Sequence, residues 1–214
     1  MKQEIEIKLG LDPKAVEKLL LSKFFVRLEE GNTLNRVLRE KKTLSNVYYD
    51  TSDWLLHARK IALRIRTDGA LFIQTLKTKG VSDKGLHKRF EWEWPLKENQ
   101  LDTQLLPLEH WPADIAFDRL KAQFCTQFTR NIWLFSYRDD QGVESQIEMA
   151  LDRGDVSSVQ SSQRVAICEL ELELISGSAN ALHEVAGTLI AQCPELSPCD
   201  ISKAEKGYQL LAQC

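Results

Sequence analysis

At 214 residues, with 43% hydrophobic and 28% charged side chains, the chain has the composition of a folded protein with one sizeable core. A net charge of −3 excludes the strongly basic footprint of a general nucleic-acid or membrane-surface binder. No apolar run approaches the ~20 residues needed to span a bilayer, and Met1-Lys2-Gln3-Glu4 opens no signal-peptide apolar region.

Along the chain, Glu4-Ile5-Glu6-Ile7-Lys8 alternates charge with isoleucine, the signature of a strand with one charged and one apolar face. Asp12 then caps a helix with Pro13 at its first position, and Val16, Leu19 and Leu20 continue at helical spacing to about Lys23. Residues 24–43 show no clear period; the charged stretch Arg36 to Lys42 reads as a helix or as a strand with a polar loop, and as a solvated face or a lid over an opening. Leu44 to Thr51 is predicted as a strand, and Ser52-Asp53 opens a short helix around Trp54 and Leu55. Ile61–Thr67 and Ala70–Thr78 form a hairpin across Asp68-Gly69, a strong turn dipeptide. Val81 to Gly85 is a link, and Leu86 to Leu96 is another alternating strand. From Leu101 to Gln123, Pro107 and Pro112 break the chain into short pieces with little strand pattern. Strands resume at Phe128–Tyr137, Ser145–Arg153 and Arg164–Ile175, with Asp139 to Gly142 as a turn. Helices over Ser178–Gln192, capped by serine, and Ser202–Gln213 end the chain. No repeat or low-complexity linker interrupts it, so a single domain over 1–214 is expected. The cysteines at 125, 168, 193, 199 and 214 are odd in number and form no metal-spaced pair, so reduced thiols and a cytoplasmic location are expected.

Period-2 reading then groups the charges. Arg64 and Arg66 share a face, as do Thr75, Lys77 and Lys79. His87, Arg89, Glu91 and Glu93 align opposite Phe90, Trp92 and Trp94; Glu148 and Asp152 align opposite Ile147, Met149 and Leu151. Glu169, Glu171 and Glu173 align opposite Leu170, Leu172 and Leu174. One such strand is ordinarily a solvated outer face over a core. The set is different, because its signs are segregated by strand and its opposite faces are bulky enough to be covered by the helices and the 101–123 segment. The expected fold class is α+β: a β-barrel, apolar outside with helices packed there, and charged within. Such an interior holds side chains or one small ligand. Rows of Lys and Arg match phosphate oxygens, and rows of Glu and Asp match hard divalent cations, so the interior suits a polyphosphate–metal complex.

These residues resemble the CYTH superfamily, the triphosphate tunnel metalloenzymes. The resemblance runs over essentially the whole chain. It rests on Glu4-x-Glu6-x-Lys8, Leu63-Arg64-Ile65-Arg66, Thr75-Leu76-Lys77, Arg89-x-Glu91, Thr129-Arg130-Asn131-Ile132-Trp133, the run from Ile147 to Asp152, Glu169-Leu170-Glu171-Leu172-Glu173, and Ser202-Lys203 followed by Gly207-Tyr208. The last two elements look most like the bacterial inorganic triphosphatases, many of which carry a C-terminal helical CHAD domain; this chain either stands alone or lacks that part. Ile132 stands where many members have a further basic residue. The resemblance implies an eight-stranded antiparallel β-barrel, a tunnel that hydrolyses inorganic triphosphate to pyrophosphate and phosphate with Mg²⁺ or Mn²⁺. Its small-molecule substrate is a triphosphate, with neither nucleic acid nor membrane as partner.

By the same resemblance, Lys8, Arg64, Arg66, Lys77, Arg89, Arg130 and Lys203 bind the phosphates. Asp152, Glu169 and Glu171 hold a metal, and Glu4, Glu6 and Glu173 place a second metal or the attacking water. Glu4, Glu6 and Lys77 are the expected catalytic residues, while Glu91 and Glu148 either join them or pair with the basic rows. His87 and the tryptophans read as structural. Alternatives are a class IV adenylyl cyclase, a thiamine triphosphatase-like activity, and a non-catalytic polyphosphate-binding module.

Overall fold

The computed structural model describes residues 2–30, 38–159 and 162–213. Its strands are β1 (Lys2–Gly10), β2 (Leu38–Asp50), β3 (Ala62–Asp68), β4 (Leu71–Lys77), β5 (Val81–Asp83), β6 (Leu86–Leu96), β7 (Lys121–Arg138), β8 (Glu144–Ser158), β9 (Arg164–Ser176) and β10 (Ser197–Pro198). The helices are α1 (Val16–Leu20), α2 (Lys23–Glu30), α3 (Leu55–Ala58), α4 (Ala179–Gln192) and α5 (Lys203–Leu211). Eight strands close a barrel in the order β1-β9-β8-β7-β2-β3-β4-β6, and β6 returns to β1. Every pairing is antiparallel, and closure removes the exposed strand edges. The short β5 and β10 extend the rim beside β6 and β1.

Register puts the charged residues opposite one another on one face. Glu4 faces Arg89, Lys8 faces Glu171, Lys77 faces Glu91, Arg130 faces Asp152, and Asp152 faces Glu169. A slip of one residue in any ladder would send that row to the outer side. The outer side is apolar and covered, as expected. Ile7, Leu9, Ile147, Met149, Leu151, Leu170 and Leu172 pack under Phe25 and Leu28 of α2 and Leu182, Val185 and Leu189 of α4. Leu63 and Leu76 pack under Leu56 of α3 and under Leu106, Trp111 and Ile115. Each such side chain, removed from water, contributes about 1.5–3 kcal/mol. Ser178 caps α4 by accepting from the Asn180 amide, and Asp12 caps the turn before α1 by accepting from the Lys14 amide.

Two readings shift. β2 runs from Leu38, so of the two alternatives for the charged stretch the strand holds over Leu38–Lys42; Arg36 lies outside the described residues. The 81–85 link carries the short strand β5. α5 also differs from α4. It packs on Phe124, Phe128, Val156 and Ile167, which share strand parity with Thr126, Arg130, Asp152 and Glu169. An apolar cluster therefore closes one end of the charged interior. Gly207 permits this approach, because a Cβ there would lie 2.2 Å from the Phe124 ring. That ring is fixed between Tyr48 and Tyr208, at 4.7 and 5.1 Å. Gly207→Ala is therefore expected to cost about 1–3 kcal/mol despite alanine's better helix propensity. The check is a lower urea midpoint with an unchanged m-value.

Candidate functional site

A half-open cavity of about 1020 Å³ runs into the barrel. Glu4, Glu6, Lys8, Arg64, Arg66, Lys77, Arg89, Arg130, Glu171, Glu173 and Lys203 all line it, so the charged rows face inward. Glu148 and His87 line it as well. Asp152 and Glu169 are fully buried behind this surface.

On one wall, one ligand atom each from Asp152, Glu169 and Glu171 lie within 4.8 Å of one another. The Lys203 ammonium sits among them, at 2.7, 2.5 and 2.9 Å. Arg130 grips Asp152 through Nε and Nη2 at 2.8 and 2.6 Å and also donates to Glu171. Lys206 reaches Glu169 at 3.0 Å, and Lys8 lies 3.5 Å from Glu171. Burial alone would raise the Glu169 and Glu171 carboxyls. The charges of Lys203 and its neighbours outweigh it, so both are lowered, Glu171 strongly. Burial likewise opposes the Lys203 ammonium, yet Asp152, Glu169 and Glu171 hold its pKa well above the usual lysine value. Three oxygen donors at this spacing fit a hard divalent cation. Such an ion would compete with the lysine for them.

A second cluster lies across the cavity. The Glu4 carboxylate accepts from Lys77 Nζ at 2.8 Å and from Arg89 Nε at 2.7 Å, and Arg89 Nη2 donates to Glu6 at 3.1 Å. Lys77 also pairs with Glu91 at 3.1 Å. Burial would raise the Glu4 carboxyl, but Lys77 and Arg89 hold it well below the carboxylate range. Burial and the neighbouring Glu4 and Glu93 raise Glu91, against the pull of Lys77 and Arg64.

Between the two clusters the balance is cationic. Among the described residues, the carboxylate nearest to Arg64 is that of Glu91, at 3.9 Å. Burial and the charges of Arg64 and Arg130 pull Arg66 down to about 10. A site holding uncompensated guanidiniums beside clustered carboxylates can take a polyanion and a cation together.

The structure thus brings the sequence-predicted residues to one cavity but sorts them into two groups. Asp152, Glu169 and Glu171 stand with Arg130, Lys203 and Lys8; Glu4 and Glu6 stand with Lys77 and Arg89. Glu173 faces Glu6 and Glu148 across the strand ladders. His87 Nε2 donates to the Cys199 carbonyl at 3.1 Å, in line with a structural role. Trp133 packs in the outer core, and Trp92 and Trp94 pack against an outer cluster. Sequence reasoning missed Lys206, three positions after Lys203 on the same helical face. It also missed Tyr48 and Asn46, whose strand parity places them beside Arg64 and Arg66.

The sequence model described as CYTH domain matches residues 2–208. The inorganic triphosphatase of Haemophilus influenzae is 34% identical over 217 residues, covering 98% of this chain and 55% of its own length. The chain thus spans about half of that relative. A Hippeastrum protein named as an adenylyl cyclase, and described as having a dominant triphosphatase activity, superposes with a TM-score of 0.60 at 17% identity, covering 96% of this chain and 95% of its own. A Bacillus halodurans protein named as an adenylate cyclase superposes with a TM-score of 0.52 at 21% identity, covering 96% and 98%. At these identities the two structures speak for the barrel, whereas the match over 2–208 speaks for ancestry: the chain belongs to the CYTH domain family.

Proposed function

We propose that the barrel hydrolyses inorganic triphosphate to pyrophosphate and phosphate with the help of a divalent cation, Mg²⁺ or Mn²⁺. The observation that carries this reading is one cavity lined by guanidiniums, with a carboxylate trio on and just behind its wall. The inorganic triphosphatase activity named for the Haemophilus relative supports it. Lys8, Arg64, Arg66, Lys77, Arg89, Arg130 and Lys203 would bind phosphate oxygens and neutralise charge gathering on the pyrophosphate leaving group. Asp152, Glu169 and Glu171 would hold the cation, which, when bound, draws charge from the phosphates; Glu4 and Glu6, with Glu173, would hold a second one or the attacking water. Water adds to the terminal phosphorus, the bridging P–O bond breaks, and pyrophosphate departs with that oxygen. A loose transition state needs little help from a base. Glu4, kept ionised by Lys77 and Arg89, is a weak base and suits orientation rather than proton abstraction. The thiols of Cys125, Cys168, Cys193 and Cys199 are free, in keeping with a cytoplasmic setting.

The test is phosphate release from tripolyphosphate, pyrophosphate, thiamine triphosphate and ATP with Mg²⁺ or Mn²⁺. Tripolyphosphate should yield one phosphate per molecule, and pyrophosphate should accumulate uncleaved. Cyclic AMP from ATP with no phosphate from tripolyphosphate would instead identify a cyclase. Preference for thiamine triphosphate would move the substrate, and tight binding without turnover under either metal would leave a binding module.

A further inference from the structure

The oxygens of the carboxylate trio fall into two sets. One oxygen from each residue, Asp152 Oδ2, Glu169 Oε1 and Glu171 Oε1, converges on the Lys203 ammonium at 2.7, 2.5 and 2.9 Å. The other oxygen of each is held by a different donor. Arg130 Nε donates to Asp152 Oδ1 at 2.8 Å, Arg130 Nη2 donates to Glu171 Oε2, and Lys206 Nζ donates to Glu169 Oε2 at 3.0 Å. Arg130 Nη2 also reaches Asp152 Oδ2, at 2.6 Å. Each carboxylate thus turns a single oxygen to the point where its neighbours' oxygens meet.

Lys206 differs from the other two donors in where it stands. Arg130 and Lys203 line the charged cavity. Lys206 lines instead a separate outer cleft of about 340 Å³, beside Asp12, Cys168 and Glu195. It rises from α5 one turn after Lys203 and reaches Glu169, which is wholly buried, from that outer side. A bound triphosphate in the cavity would not meet it. Neutralising charge does not account for it either, because Glu169 Oε1 already has Lys203 at 2.5 Å and Lys8 at 3.9 Å. What Lys206 does alone is occupy the second oxygen of one carboxylate.

That occupation matters to the choice of cation. Ca²⁺ takes about six to eight oxygens and readily uses both oxygens of one carboxylate, whereas Mg²⁺ demands an octahedron at about 2.0–2.1 Å, completed by water and phosphate. Three carboxylates that give one oxygen each suit the smaller ion. We infer that Lys206 is a specificity-determining positioning residue: by holding Glu169 Oε2 from outside the cavity, it limits that carboxylate to one ligand oxygen and so favours Mg²⁺ over Ca²⁺. The inference rests on the cation reading of the trio given above, and the experiment separates the two.

Mg²⁺ and Ca²⁺ binding is measured by calorimetry on the metal-stripped protein without triphosphate, for the wild type, Lys206→Met, Lys206→Gln and Lys206→Arg. Losing one positive charge tightens both divalent ions alike and cancels in the ratio of their Kd values. The freed Glu169 oxygen serves Ca²⁺ alone, so in Lys206→Met the ratio should move toward Ca²⁺ by about tenfold or more, the scale on which partners of metal ligands act. Lys206→Arg keeps a charged donor and should keep the wild-type ratio. Lys206→Gln leaves buried Glu169 a neutral partner, which guards against a Met variant that fails to fold; its ratio should move the same way by less. With Mg²⁺ saturating, kcat for tripolyphosphate should stay within a few-fold, while Ca²⁺ should inhibit Lys206→Met at about tenfold lower concentration. Equal changes for the two ions in Lys206→Met and Lys206→Gln would reduce Lys206 to a charge and overturn the inference, leaving the trio a metal site. Binding of neither ion to any of the four proteins would overturn the cation reading as well.

Discussion

Glu4→Gln should abolish most turnover while leaving tripolyphosphate bound. The substitution keeps shape and removes one charge at a carboxylate that holds two cations, Lys77 at 2.8 Å and Arg89 at 2.7 Å. Those cations are then released to the substrate, so the tripolyphosphate Kd should be unchanged or lower. The rate should nonetheless fall by roughly 10²–10³-fold, the usual scale for losing a positioned polar group that acts in the transition state. Glu6→Gln should behave alike, since Glu6 shares Arg89 at 3.1 Å. The two effects should overlap rather than multiply, because both carboxylates act through one arginine. Separate measurement of kcat by phosphate release and of Kd by calorimetry decides the matter. A variant that keeps most of its rate would remove that glutamate from the chemistry. One that loses rate only by failing to bind would make it a binding residue.

How far such roles could be read in advance follows from what each element shows locally. β1, β6 and β9 are legible because charge alternates with apolar side chains without a break over five or more residues, at 4–9, 89–94 and 169–174, and the β3–β4 hairpin is legible from Arg64-Ile65-Arg66 and the Asp68-Gly69 turn. The start of β7 is not. Phe124, Thr126 and Phe128 face an interior that has turned apolar at the α5 end, so the charge alternation that marks the other strands disappears there. β5 spans only three residues, too few to carry a period. The position of α5 depends on Gly207 meeting Phe124, a contact between segments over eighty residues apart, which no local pattern encodes. Tyr48 escaped for a related reason. An uncharged residue on an inward face looks like packing until Arg64 is seen across the ladder. The sorting of carboxylates into two groups is also a matter of register between strands rather than of any one strand.

Lys203→Met should make the stability of the fold depend on a divalent cation several-fold more than in the wild type. The lysine ammonium lies within 2.9 Å of Asp152, Glu169 and Glu171, and Asp152 and Glu169 are wholly buried. Methionine preserves the length of the stem and its packing near Phe128, whose ring centroid is 5.0 Å from the Lys203 nitrogen. It removes the one cation among the described residues that touches all three carboxylates at hydrogen-bond distance. Arg130 still holds Asp152 and Lys206 still holds Glu169, so the cluster is weakened rather than stripped. Breaking a buried ion pair from one side costs about 3–5 kcal/mol. For a chain of this size that is a melting temperature lower by roughly 10 °C in EDTA. A divalent cation can supply the missing charge to the same three oxygens, so Mg²⁺ or Mn²⁺ should restore much of the loss. In the wild type the ion must first displace the lysine, and its stabilisation should be several-fold smaller. The measurement is thermal unfolding of both proteins with EDTA and with each metal. If the variant melts with the wild type in EDTA, the lysine does not neutralise the trio. If it melts low and no divalent cation raises it, the trio is an ion-pair cluster rather than a metal site.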